Sequence, residues 1–490
     1  MVVLLLFLVP LLGGLISFFL KNDKTVRGWA LFITLVVLFL SIASNTIMKS
    51  AEQLNFQAGW LGSLGSSFSL KLDGLSQILT LLTAIAYPVI MIATWKTGYK
   101  KPNNFFGLML LTQAGLIGVF TATDALLFYF FWELALIPVY FLCSGWGNEK
   151  RIPVTFKFFI YTFTASVIML VGILYLYFQT PDRSFSMQSF YALTFPESTQ
   201  SWLFWLMFIA FAVKIPVFPF HTWQPDTYEQ SPTAATMVLS GIMVKMGLFG
   251  LIRWVWPVLP NAFHQWGDVA MSMAVVGIIY ASIIAIQQDD IKRLIAYSSI
   301  AHMGLMVMAV FSENGTAMNG VMMQMFNHGI NIIALWIVVE LIERQFGTRK
   351  LSELGGVAQK APALATLLVI AALANVALPL TNGFVGEFLM FNGIWNAFSE
   401  YRVIFTVFAI IAIILAAAYT LNMIQKIFFG NTNVCTENTH DAHRNEKLIL
   451  GGLAVLMIVL GVYPQLLLNL GNSFVETLLR DVNLSTMIVK

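Results

Sequence analysis

Apolar segments of about 20 residues recur from one end of this sequence to the other, and each is long enough to cross a bilayer as a helix. Charged residues make up only 10% of the chain. Soluble domains carry roughly 25% charged residues, so an ordinary soluble fold is excluded. We therefore predict an all-α integral membrane protein that crosses the membrane many times.

The apolar segments predict about 14 membrane spans. Two of them carry helix-breaking residues near the middle: Pro216 and Pro219 interrupt the seventh span, and Pro379 and Gly383 interrupt the twelfth. We expect each of these two spans to consist of two half-helices. The predicted spans are 2–20, 27–48, 74–95, 104–122, 124–146, 154–178, 201–223, 231–256, 268–288, 291–311, 316–343, 362–398, 403–429 and 447–470.

The distribution of basic residues predicts the orientation of the chain. Lys21, Lys24 and Arg27 follow the first apolar segment and no basic residue precedes it, which is typical of a retained first helix with its N-terminus outside. The connections after odd-numbered spans hold 18 Lys and Arg residues, and the other side holds 7. Basic residues stay on the cytoplasmic side, so both termini are expected on the outer, periplasmic side of the inner membrane.

The two interrupted spans lie five spans apart, which is an odd offset. The second therefore enters the membrane in the opposite direction, as in an inverted-topology repeat that relates helices 4–8 to helices 9–13. Broken helices in matching positions indicate the transport site. We divide the chain into four parts: residues 1–103 with helices 1–3 and an outer-face hairpin that includes a strand at 67–72, residues 104–256 with the first repeat, residues 268–429 with the second repeat, and residues 430–490 with the C-terminal loop, helix 14 and a tail.

Ionisable side chains in the middle of apolar spans are the candidate functional residues, because a charge there costs at least about 2.5–3.5 kcal/mol. Glu133 lies halfway along the fifth span, and Lys214 stands directly before the break in the seventh. We expect Lys214 to pair with Glu133 and to keep its carboxylate ionised. A static structural ion pair is the alternative to a functional one.

Four further ionisable residues lie inside spans. Lys245 lies in the eighth span without a predicted acidic partner, which suits a lysine that gains and loses a proton. His302 and His328 lie in the tenth and eleventh spans, and histidines can relay protons near neutral pH. Glu387 follows the break in the twelfth span and is the predicted last carrier. The alternatives are a lysine that extends to an interface, histidines that only pack, and a glutamate that only interacts with its half-helix dipole.

Other polar residues point to no chemistry of their own. Asp124, Glu340 and Glu343 lie near span ends and are expected to be solvated, and His440 and His443 are expected in a solvated loop rather than a metal site. No dinucleotide, Walker or cysteine-cluster motif occurs, so we predict no cofactor or metal in this chain. A net charge of +3 without a basic run excludes nucleic-acid binding.

Several motifs resemble the antiporter-like membrane subunits of respiratory complex I. The stretch that starts at Lys214 reads KIPVFPFHTWQPD, SPT follows it, and GIMVKMG surrounds Lys245. FSLKLDGLS in the predicted hairpin, YSSIAHMG around His302 and FVGEF around Glu387 fit as well. The similarity extends over residues 60–470, which is nearly the whole chain.

The resemblance implies 14 helices in inverted five-helix repeats with a midplane row of ionisable groups. It implies a coupling ion pair of Glu133 and Lys214, a relay of Lys245, His302 and His328, and an outlet at Glu387. One antiporter-like subunit of the respiratory complex has glutamate at the outlet, whereas its sister subunits and the related antiporters usually have lysine.

The resemblance also implies other membrane and peripheral subunits as partners, with FMN, iron–sulfur clusters and quinone bound in those partners. The chain departs from the family at one place. It has QPDTY from Gln224 where many relatives have LPDAH, so a role for that histidine does not carry over.

The sequence leaves four functions open. A redox-driven proton-translocating subunit of an NADH–quinone oxidoreductase is the first. A subunit of a multi-subunit cation/proton antiporter or of a membrane-bound hydrogenase is the second, because these proteins share the fold. An autonomous transporter of an organic solute would need a substrate pocket, whereas the sequence shows only proton-type carriers. A purely structural membrane subunit leaves the midplane charges unexplained.

Overall fold

The computed structural model describes residues 1–48, 50–437 and 439–488, and helices account for most of them. The predicted all-α membrane class is confirmed, because 11 helices of the described residues are long and apolar enough to cross a membrane. The helices of the first half are α1 (Val2–Ser17), α2 (Asp23–Thr46), α3 (Ala51–Leu54), α4 (Gly74–Ala93), α5 (Pro102–Thr121), α6 (Ala125–Trp146), α7 (Arg151–Gln179), α8 (Met187–Tyr191), α9 (Glu197–Lys214), α10 (Trp223–Gln230) and α11 (Thr233–Val255). Those of the second half are α12 (Pro260–Gln265), α13 (Gly267–Gln287), α14 (Ile291–Val310), α15 (Gly315–Phe346), α16 (Val357–Lys360), α17 (Pro362–Asn375), α18 (Asn382–Trp395), α19 (Arg402–Phe428), α20 (Arg444–Val462) and α21 (Gln465–Ile488).

Both predicted helix breaks are present. The seventh predicted span, 201–223, contains most of α9 and the break, but its predicted end is too early because the second half-helix, α10, runs to Gln230. The twelfth predicted span consists of α17 and α18. Between α9 and α10 the chain contains two prolines, which lack the N–H that a continuous helix needs. The indole N–H of Trp223 donates to the carbonyl of Val213 at 2.9 Å and holds α10 against the end of α9. The count of 14 spans, the inverted repeats and the four-part division remain predictions.

The second break is shorter than the first, which occupies residues 215–222. The second occupies residues 376–381, and Ala377 and Leu380 both adopt the left-handed backbone region, with φ of 60° and 74°. Residues with a side chain rarely adopt this region, so the surrounding packing must hold the turn in place. Polar side chains of α15 hold the turn through hydrogen bonds to residues on both sides of the break.

Glycines allow the helices that carry the candidate residues to approach closely. A Cβ atom on Gly115 of α5 would lie 2.5 Å from the backbone nitrogen of Ala135, which is two residues from Glu133 on α6. A Cβ atom on Gly320 of α15 would lie 2.7 Å from the backbone nitrogen of Met390 on α18. Small residues of this kind bring helix backbones together where lipid provides no hydrophobic driving force.

A β-hairpin joins α3 to α4 and covers one end of the bundle. Strands β1 (Asn55–Leu61) and β2 (Ser66–Lys71) pair in antiparallel register, and β2 contains most of the predicted strand. The prediction that Asp124 is solvated is wrong. Its carboxylate is buried and accepts hydrogen bonds from the Ser66 hydroxyl and the Ser67 N–H of β2 at 2.9 Å, because the hairpin folds over the start of α6.

The predicted C-terminal end of the last span, at residue 470, is also wrong. Pro464 follows the end of α20, and the chain begins a new helix, α21, where the prediction had continued the span to residue 470. This helix packs across α4 and α15. The guanidinium of Arg253, at the end of α11, lies 4.9 Å from the ring centre of Phe474 on α21. The tail therefore covers the end of the bundle as a helix.

Candidate functional site

Glu133 belongs to α6, and Lys214 belongs to α9. Lys214 is the last residue of α9, and its side chain is buried. Its ammonium nitrogen lies 5.5 Å from the ring centre of Trp132 and 5.9 Å from that of Phe158, so two aromatic rings surround the cation. Among the described residues, no group lies in hydrogen-bond geometry with this nitrogen or with the carboxylate oxygens of Glu133, although the hydroxyls of Ser166 and Tyr129 lie near that carboxylate. The two charges act on each other electrostatically without direct contact, and their pairing stays a prediction.

Lys245 is completely buried in α11, so its side chain does not extend to an interface. Two π turns, Leu239–Met243 and Leu251–Val255, lie on either side of it. Such turns widen a helix locally and frequently mark functional sites. The Lys245 ammonium donates to the carbonyl of Ser240 at 2.8 Å and lies 2.8 Å from Nδ1 of His328. The lysine therefore contacts a histidine directly, and no carboxylate of the described residues pairs with it.

The line of ionisable groups continues from Lys245 across α15, α14 and α18. The ring centres of His328 and His302 are 5.5 Å apart. Nδ1 of His302 lies 3.3 Å from Oε1 of Glu387, and all of these side chains are buried. The structure thus brings four of the six candidates into one line, in the order Lys245, His328, His302 and Glu387. Their roles in transport remain predictions.

Two amides that sequence reasoning missed complete this line. The amide nitrogen of Asn375, the last residue of α17, lies 3.2 Å from Nε2 of His302. The amide of Gln324 donates to Oε1 of Glu387 at 3.4 Å. The sequence carried a weak signal for Gln324, because it precedes His328 by four residues and so lies on the same helix face. For Asn375 the signal was its place just before the second break.

A set of asparagines ties the second break to α15. Asn327 donates to the carbonyl of Asn382 at 2.7 Å, and the amide of Asn382 donates to the side chain of Asn331 at 3.0 Å. Asn331 in turn donates to the carbonyl of Ala374 at 3.0 Å. Ala374 and Asn382 stand on opposite sides of the break, so α15 satisfies the backbone and side-chain groups that the break leaves open.

The arrangement can transfer protons. Lys245, the two histidines and Glu387 are all titratable and buried, and two of the three steps between them, Lys245 to His328 and His302 to Glu387, span 2.8 and 3.3 Å. A cavity of 20 Å³ adjoins His302 and Glu387, enough for about one water molecule. In the part of the chain that the structure describes, no group of three or more His, Cys, Asp or Glu side chains could hold a metal ion.

Comparison with known proteins identifies one family. The family described as NADH:quinone oxidoreductase/Mrp antiporter, TM, matches residues 122–423, which contain all six candidate residues. A protein named NADH-quinone oxidoreductase subunit M, from Rickettsia typhi, is 35% identical over 489 residues, which cover 96% of this chain and 97% of the relative. A protein named F(420)H(2) dehydrogenase subunit M, from Methanosarcina mazei, is 34% identical over 482 residues and 95% of each chain.

A solved structure shows the same fold over the whole chain. One chain of respiratory complex I from Thermus thermophilus, solved with bound NADH, superposes with a TM-score of 0.89 at 28% sequence identity. The superposition covers 98% of this chain and 100% of that chain. The similarity therefore includes the helices outside the matched family segment.

Proposed function

The chain belongs to the NADH:quinone oxidoreductase/Mrp antiporter family of membrane proteins, and on this premise we propose that it is a proton-translocating subunit, of the subunit M type, of an NADH–quinone oxidoreductase. The enzyme is the whole complex, and this chain performs no redox chemistry itself. The observation that supports the proposal most is the buried line from Lys245 to Glu387. Buried ionisable groups are expensive in a membrane protein, so an aligned set indicates a pathway.

Each contact in the line defines one proton transfer. The Lys245 ammonium donates to Nδ1 of His328 over 2.8 Å. His328 passes a proton from its other nitrogen, Nε2, to His302 by ring rotation or through a water molecule, because the ring centres are 5.5 Å apart. His302 then donates from Nδ1 to the Glu387 carboxylate over 3.3 Å. Asn375 and Gln324 orient the last two groups.

Glu133 and Lys214 act as a switch for this line. When they form an ion pair, the carboxylate neutralises the ammonium, and when they separate, the ammonium repels other cations. Two unit charges about 10 Å apart interact by roughly 1.7 kcal/mol at an effective dielectric constant of about 20, which changes a protonation equilibrium more than tenfold. An unpaired Lys214 therefore drives the proton on Lys245 toward His328. The absence of a direct contact between the two side chains among the described residues supports a pair that can separate.

The energy for the switch comes from partner subunits. FMN, iron–sulfur clusters and quinone bind in those subunits, and other membrane and peripheral subunits of the complex are the expected partners. The chain lies in the inner membrane with both termini on the periplasmic side. Protons then enter the line from the cytoplasm and leave toward the periplasm.

A second candidate function is a subunit of a cation/proton antiporter or of a membrane-bound hydrogenase. The family description itself includes Mrp antiporters, and the relative from Methanosarcina mazei is named for a different dehydrogenase. Glutamate rather than lysine at position 387 favours the NADH–quinone oxidoreductase. Copurification of the chain with flavin- and iron–sulfur-containing subunits would support the first function, whereas copurification with antiporter subunits would support the second.

The proposal is tested with Lys245→Met in the purified complex reconstituted into lipid vesicles. Methionine keeps the length of the side chain and cannot carry a proton, so we expect the rate of proton translocation through this subunit to fall by about 100-fold, as for removal of a positioned proton carrier. Lys350→Met is the matched control, because Lys350 is exposed and its ammonium pairs with Glu353 outside the line. Full translocation by Lys245→Met would exclude the relay.

A further inference from the structure

We propose that Arg293 is a positioning residue that couples the Glu133–Lys214 pair to the His302–Glu387 pair. The inference rests on the proposed function and concerns how its two halves communicate. In the line described above, no hydrogen bond or ion pair between described residues joins Lys214 to Lys245. A second connection between the halves exists at the ends of the helices, where Arg293 bridges two carboxylates.

An ionic cluster surrounds α10, the half-helix that follows the first break. We define it as Lys157, Asp226, Glu229, Arg293 and Arg349. Nη1 of Arg293 lies 3.1 Å from Asp226 and 2.8 Å from Glu229. Lys157 of α7 lies 2.9 Å from Asp226, and Arg349 lies 3.7 Å from Glu229. Both acidic residues of the cluster belong to α10, and all three cations belong to other elements.

The cluster connects to Lys214 through α10. The N–H of Trp223, the first residue of α10, donates to the carbonyl of Val213, which directly precedes Lys214. The ring of Phe158 lies between them, with its centre 5.1 Å from the Trp223 ring and 5.9 Å from the Lys214 ammonium. A change in the position of Lys214 therefore displaces α10, and the acidic residues of α10 move with it.

The cluster connects to His302 through α14. Arg293 is in the first turn of α14, and His302 lies nine residues further along the same helix, about 13 Å away at 1.5 Å per residue. Every residue of α14 except Arg293 is buried, so the helix has little freedom to bend. A displacement of α10 is passed by Arg293 to α14, and it changes the distance between His302 and Glu387.

Arg293 is the residue that carries the link between these two helices. Lys157 belongs to α7. Arg349 belongs to the connection before α16 and bridges Glu229 to Asp290, the residue directly before α14, whereas Arg293 pairs with α10 from within α14 itself. A guanidinium can bind two carboxylates in fixed directions, and a network of this kind is more specific than an isolated surface pair. Without Arg293, the ion pairs between α10 and α14 are lost while the other contacts of α10 remain.

The test uses Arg293→Gln in the reconstituted complex. We expect protons translocated per NADH oxidised to fall roughly three- to tenfold, as for residues that modulate coupling from outside both sites. The rate of NADH oxidation with an artificial electron acceptor stays unchanged. Arg293→Lys retains the charge, so its ratio of protons translocated per NADH oxidised lies between that of Arg293→Gln and that of the unchanged protein. Lys350→Gln is the control, because it removes an exposed ion pair outside the cluster.

A double-mutant cycle with Glu229→Gln separates coupling from a general structural effect. If Arg293 acts through this contact, the two substitutions together lower the ratio little more than either alone. Fully additive losses, or a wild-type ratio in Arg293→Gln, would overturn the coupling role. If Arg293→Gln fails to assemble, Arg293→Lys with Glu229→Gln provides the same cycle. Normal translocation by Lys245→Met would instead reject the proposed function itself, so the two failures are distinct.

Discussion

The two breaks in the membrane helices differ in how their polar groups are satisfied. At the first break, Lys214 faces the rings of Trp132 and Phe158, and neither it nor Glu133 has a hydrogen-bond partner among the described residues. At the second break, His302 and Glu387 contact each other. An amide of α17 contacts His302, an amide of α15 contacts Glu387, and asparagines join the surrounding helices.

The difference has opposite consequences for stability. A buried polar group without a partner costs about 1–3 kcal/mol, and a charge at the membrane centre costs at least about 2.5–3.5 kcal/mol. The first break is therefore maintained at the expense of stability. Gln324 Oε1 and Asn327 Oδ1 also lack a partner among the described residues, but both amides donate hydrogen bonds. Hydrogen bonds between membrane helices contribute about 0.6 kcal/mol each on average, so the second break is the better stabilised of the two. We infer that the first break is free to switch and the second is preorganised to conduct.

Among the variants that compare the two breaks, Lys214→Ala gives the largest expected effect. We expect proton translocation per NADH oxidised to fall about tenfold or more, because the variant lacks the charge that drives Lys245. The thermal unfolding midpoint of the complex stays the same or rises, since the variant no longer buries an ammonium without a partner. Glu133→Ala serves as the matched variant. Full coupled activity in both variants would contradict the switch.

Asn375→Leu tests the second break and has a smaller expected effect. Leucine is similar in size but cannot form the hydrogen bonds that the Asn375 amide makes with His302 and Ser298. We expect translocation to fall by about threefold and the stability to fall by about 1 kcal/mol, measured together by vesicle assay and thermal unfolding. Asn396→Leu is the control at an exposed asparagine. A more stable Asn375→Leu variant would show that the two breaks do not differ as described.

Much of this contrast could be predicted from the sequence. Apolar segment length predicts the helices, proline positions predict the breaks, and charged residues within apolar segments are rare enough to identify the six candidates. These signals are local, because they depend on the cost of placing one residue type in lipid. The same reasoning suggested that Glu133 and Lys214 form an ion pair, and that remains a prediction.

The parts that the sequence did not predict depend on long-range packing. Asn375 and Gln324 resemble many amides that only join helices, so their type alone does not mark them as partners of His302 and Glu387. The order of the line places His328 before His302, against their order in the chain. The burial of Asp124 depends on a hairpin that begins far from it in the sequence.

The smallest expected effect concerns Asp441, which caps only the second broken helix. Its carboxylate accepts hydrogen bonds from the N–H groups of Leu364 at 3.0 Å and Ala363 at 3.3 Å, in the first turn of α17. The corresponding half-helix at the first break, α9, begins after Pro196, and among the described residues no side chain accepts a hydrogen bond from its first turn. Partial burial raises the pKa of Asp441, but hydrogen bonds from Lys447 and from the backbone lower it by a larger amount. The net pKa therefore lies below its ordinary value of 3.8.

A carboxyl group whose pKa is lower in the folded state stabilises that state above its ordinary pKa, and the contribution is lost as the pH falls through the folded pKa. We therefore expect the amides of residues 363–366 to lose protection from hydrogen exchange, after correction for intrinsic rates, when the pH is lowered from 7 to about 3. Asp441→Asn should show part of this loss at pH 7, at about 1 kcal/mol or less. The first turn of α9 provides the internal control, because no side chain caps it there. Equal acid sensitivity of the two first turns would show that the Asp441 cap does not distinguish the second broken helix from the first.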